Sequence, residues 1–63
     1  MKYEEAKIGT LILHDHGYIG HIVKKLGKGT VLINPDDSSL KNLFPRGIKA
    51  KVEEIQEYKF KNK

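Results

Sequence analysis

The chain has no cysteine and no tryptophan, only two prolines and five aromatic residues, and no apolar run long enough to cross a bilayer. Without cysteine there are no disulfides to stabilise it and no thiolate to act as nucleophile or to complete a structural zinc site. The opening MKYEEAKIGTLIL lacks the basic start, long apolar stretch and small-residue cleavage site of a secretory signal. The expectation is therefore a cytoplasmic protein with no membrane association. With 63 residues the chain holds at most one thin core, so one domain over 1–63 is expected. Its stability must come from aliphatic packing or from a partner surface, which keeps homo-oligomerisation open.

What is present is a run of short apolar segments between turn residues. Thr10 to His14 reads as a strand between Gly9 and Asp15-His16-Gly17. Tyr18 to Lys25 alternates, with Tyr18, Gly20, Ile22 and Lys24 on one face and Ile19, His21, Val23 and Lys25 on the other. Both faces carry apolar residues, so this strand is expected to bend, at Gly20. Gly27-Lys28-Gly29 supplies a tight connection to the β-branched strand Thr30 to Asn34. Pro35 to Ser39 is turn chemistry, and the spacing of Leu40, Leu43 and Phe44 before Pro45 predicts a short helical turn near 39–44. Ile48, Ala50 and Val52 alternate with Lys49, Lys51 and Glu53 as a strand with one wet face. Residues 51–60 fit either a strand or a helical stripe, and the tail Lys59-Phe60-Lys61-Asn62-Lys63 reads as frayed. The fold class expected is mostly β, a small SH3-like barrel of four or five short strands.

Gly17-Tyr18-Ile19-Gly20-His21-Ile22, with Val31 and Ile33 on the next strand, resembles the KOW motif of ribosomal and transcription-elongation proteins. The likeness covers about a quarter of the chain and rests on two glycines at the right spacing with apolar residues beyond them. It implies a glycine-bounded hairpin in an SH3-like barrel, with Gly17 at positive φ. Tudor, chromo-like and plasmid-encoded SH3-like barrels make the same demands on those glycines. The KOW pattern also implies an RNA role, although its loop before the first glycine usually holds more basic residues than His14, Asp15 and His16.

Several residue groups invite a chemical reading. His14, Asp15, His16 and His21 offer imidazoles and a carboxylate, yet an ordinary polar turn explains them and no metal is expected. Gly27-Lys28-Gly29-Thr30 lacks the adjacent Lys-Thr and the following helix of a phosphate loop. Asp36, Asp37, Ser38 and Ser39 suit a turn and helix cap better than catalysis. No catalytic residues and no cofactor are expected, and the chain is read as a non-enzyme.

Lysine and arginine number 12 against 8 acidic residues, a net charge of +4. Lys24, Lys25 and Lys28 surround the second hairpin, while Arg46, Lys49 and Lys51 flank the strand from Ile48. Together they form a candidate nucleic-acid rim gripping phosphates by charge, with Tyr18 or Phe44 stacking a base. The leading expectation is a module binding an RNA or DNA backbone. The alternative is a protein-interaction module, a small subunit or inhibitor docked on a larger machine.

Overall fold

The computed structural model describes residues 1–59. As expected, the chain is mostly β: five antiparallel strands in one sheet, with a short helix and two 3-10 turns. The strands are β1 (Leu11–His14), β2 (Ile19–Gly27), β3 (Thr30–Pro35), β4 (Ile48–Lys51) and β5 (Ile55–Glu57), in the order β4-β3-β2-β1-β5. The helix α1 covers Ser38–Leu43, and 3-10 turns cover Tyr3–Glu5 and Val52–Glu54. Residues 52–57 are thus a 3-10 turn and a strand, which settles the helix-or-strand alternative over the described part of 51–60. The tail expected to fray, Lys59 to Lys63, lies outside the described residues from position 60 onward.

The sheet has to curl. Laid flat, five strands would hold β4 and β5 about 19 Å apart, given strand spacings near 4.8 Å. The chain from Lys51 to Ile55 reaches at most about 14 Å, so the 3-10 turn draws the two edges together and curls the sheet into a barrel-like form. No strand ladder joins β4 to β5, and the seam between them stays open.

The concave face collects Ile12, Ile22, Val31, Ile33, Ala50 and Ile55, with Ala6 supplied by the segment before β1. Branched aliphatics dominate because a thin two-sided sheet needs rigid side chains that fill space on a pleated surface. The N-terminal segment lies over one end of this core. There the Gly27 amide donates to the Tyr3 hydroxyl at 2.8 Å.

Gly20 is not where β2 bends. It pairs regularly with Ile12 on β1 and with Pro35 on β3, and a Cβ built on it would stand 2.7 Å from the Asn34 carbonyl oxygen. Glycine is there for close approach. The irregularities fall instead at Val23 and Leu26, which are skipped in the β2–β3 ladder. Bulges at these positions sharpen twist and shift which side chains face inward. Gly17 has the positive φ of 96° expected of the turn. Lys28 and Gly29, with φ of 54° and 74°, form a two-residue hairpin loop between the paired Gly27 and Thr30; positive φ at both central residues matches the right-handed twist of the flanking strands. Among the described residues no helix is long and apolar enough to cross a membrane.

Candidate nucleic-acid interface

The open seam forms a groove of about 470 Å³ between α1, the β1–β2 turn and the start of β4. Its walls are His16 and Tyr18 on one side and Leu40, Phe44 and Ile48 on the other. Local sequence explains why α1 stands there. Asp37 caps the helix, accepting from the Ser39 amide at 2.8 Å, and Phe44 closes it by donating its own amide to the Leu40 carbonyl at 2.8 Å. Six residues suffice to hold Leu40 and Phe44 over the groove.

The polar groups of the groove come together through strand pairing. β1 lies beside β5 with His14 opposite Ile55, so the residue before Ile55, Glu54, reaches the buried His14 ring. His14 Nδ1 accepts from the His16 amide at 3.0 Å, which leaves the proton of the neutral ring on Nε2, 3.6 Å from Glu54 Oε1. Glu54 Oε1 also accepts from the Lys51 amide at 3.2 Å. Tyr18 stacks on His14 with ring centroids 4.8 Å apart and planes 11° from parallel. Its hydroxyl is shielded from water yet meets no hydrogen-bond partner among the described residues. Burial, and secondarily the Glu54 carboxylate, push the Tyr18 phenol above its usual value near 10.

The six basic positions divide. In the paired row Lys24–Leu32–Lys49 all three side chains share the convex face, and Lys51, opposite Thr30, stands on that face two residues along β4. None of these three lysines is ion-paired with a described carboxylate. Lys49 and Lys51 flank a second, shallower depression of about 250 Å³, bounded also by Thr30 and Glu54. Lys49 and Glu54 line both depressions, so the two adjoin at these side chains. Lys28 sits at the exposed tip of the β2–β3 hairpin, and Arg46 is exposed in the loop before β4. Lys25 does not join them: it pairs with Val31 on the core side and its Nζ lies 4.2 Å from the centroid of the Tyr3 ring. Tyr18 gives one ring face to His14, so the aromatic open to the groove mouth is Phe44, 44% exposed.

His21 stands apart from the other imidazoles. It pairs with Leu11 on the convex face, three residues from inward-facing His14, and bonds Asp36 at 3.0 Å. Among the described residues no group of three His, Cys, Asp or Glu side chains is placed to hold a metal ion. The groove's His14–Glu54 pair went unseen in the sequence because those residues lie 40 positions apart, and only the β1–β5 register brings them together.

Comparison with known proteins gives no match to a family model, a curated protein or a solved structure.

Proposed function

We propose that this chain is a non-enzymatic, cytoplasmic binding module that holds single-stranded nucleic acid by its backbone along β4. The observation that carries the reading is the adjacency of the Lys49–Lys51 depression to the aromatic-walled groove, the two sharing Lys49 and Glu54. Unpaired lysines beside a shallow track attract phosphates and release their counterions. An adjoining aromatic wall suits strands whose bases are already unstacked, as single strands offer and duplexes do not. Lys24, Lys28 and Arg46 extend the positive field, and Lys25 contributes only from the other side of the sheet.

Fluorescence anisotropy with labelled single-stranded RNA and DNA, titrated across salt concentrations, tests the reading. Binding should weaken steeply with salt and fall at least tenfold when Lys49→Glu and Lys51→Glu are combined. Binding unchanged by that pair would dismiss β4 as the contact. Exposed Leu43, 71% accessible beside Phe44 on α1, favours the second reading, a protein-interaction module. Its signature is a defined protein partner that stays bound through nuclease treatment and high salt.

A further inference from the structure

The groove at the open seam has more built into it than a backbone track requires. A phosphate chain needs cations and a shallow path, and the lysine-lined depression along β4 supplies both. The groove is deeper and mostly apolar, and it carries a carboxylate and four ring side chains, His14, His16, Tyr18 and Phe44. The carboxylate narrows the ligand class. Glu54 Oε1 is engaged by the Lys51 amide and faces His14 Nε2, while Oε2 is the acceptor left over. An anionic group is repelled there, so phosphates belong on the lysine side and a neutral N–H donor on the groove side.

Resting on the nucleic-acid reading above, we propose that the groove takes one unstacked nucleobase bearing an exocyclic amino group, adenine, cytosine or guanine, from the strand lying along β4. The base stacks on Phe44 and its amino group donates to Glu54. Lys49, which lines both depressions, holds the phosphate of the same nucleotide. Uracil and thymine fit poorly. Their N3–H is flanked by two carbonyl oxygens, which approach the carboxylate with like partial charge, and they have no amino group to donate. The groove volume of about 470 Å³ is within the range of ordinary small-ligand sites and ample for one base.

The test uses short labelled DNA strands that are abasic at every position except one central nucleotide, bearing A, C, G or T, alongside a fully abasic strand. Anisotropy titration of the full chain should show A, C and G strands binding about 5- to 100-fold tighter than the abasic strand, the range expected for one base stacked on an aromatic side chain. The T strand should bind no more than severalfold tighter than the abasic one. Phe44→Ala, at a half-exposed position, should return all four to the abasic level while leaving abasic binding and its salt dependence unchanged. Glu54→Gln, which adds an amide donor but still accepts from the Lys51 amide, should narrow the gap between T and the others. Base-bearing and abasic strands binding equally well would overturn the groove proposal and leave the backbone reading intact. No binding of either would overturn both. Thymine binding as tightly as adenine would overturn the amino-group selection.

Discussion

The Tyr18 ring is well packed against His14, but its hydroxyl is shut away from water with no hydrogen-bond partner among the described residues. Removing that hydroxyl by Tyr18→Phe keeps the stacking and deletes an unsatisfied group, so urea denaturation should find the variant as stable as the parent or about 1 kcal/mol more stable. The ionisation of this phenol fixes the sign of a pH effect. In the unfolded chain it ionises near 10, and in the fold its pKa lies higher. Above pH 10 the unfolded state therefore binds fewer protons than the native state, and stability falls as pH rises. Tyr18→Phe should flatten that alkaline decline. Gly20 is constrained in the opposite sense. Its missing Cβ would press on the Asn34 carbonyl and on Ile33 Cγ2, both at 2.7 Å, and on the Pro35 backbone at 3.0 Å. Backbone atoms in a paired strand cannot step aside, so Gly20→Ala should cost about 1–3 kcal/mol in the same urea experiment.

At the level of the element, the β2–β3 hairpin carries a lysine at φ 54°, the one non-glycine residue with positive φ among those described. Asparagine tolerates that conformation better than lysine and precedes glycine in the favoured hairpin turn. Lys28→Asn should therefore leave stability unchanged or raise it by about 0.5 kcal/mol, while removing one cation from the proposed interface. The helix α1 depends on its cap in a similarly local way. Asp37→Ala leaves the Ser39 amide without its partner, a loss of about 1 kcal/mol, and with it the placement of Leu40 and Phe44. Thermal melts should show the stability loss, and oligonucleotide binding should show a base-dependent loss with the backbone term retained. These elements were readable from residue order because their causes are local: β-branched runs, turn glycines, an Asp-Ser-Ser cap and a helical spacing of leucines. The bulges were not. Alternation counted straight through from Tyr18 places Lys24 with the core residues and Lys25 outside, and the skipped Val23 exchanges them. No side chain announces that skip, because it depends on how β2 must twist to serve β1 and β3 at once. The seam groove was illegible for a related reason: Glu54 meets His14 only through the register of β5 on β1.

For the molecule as a whole, small size decides which experiments are informative. A chain of 63 residues has a stability of about 3–9 kcal/mol at ordinary per-residue values. Truncating one fully buried residue such as Ile33 to Ala removes about 2–5 kcal/mol, enough to unfold much of the population and erase any binding for trivial reasons. The convex lysines avoid that difficulty, being exposed and bonded to no described carboxylate. Converting Lys24, Lys49 and Lys51 to Gln lowers the net charge from +4 to +1 and removes no core contact, so the melting temperature should move by no more than a few degrees. Binding should respond far more. If those three lysines each neutralise one phosphate, the slope of log K against log salt for the parent includes about −2 from them, or a roughly 20-fold weakening between 50 and 200 mM salt. The triple variant should lose that portion of the slope and retain only what Lys28 and Arg46 contribute. Affinity that drops while the slope stays at its parental value would mean the lysines act through the shape of β4, since loss of charge contacts changes both quantities together.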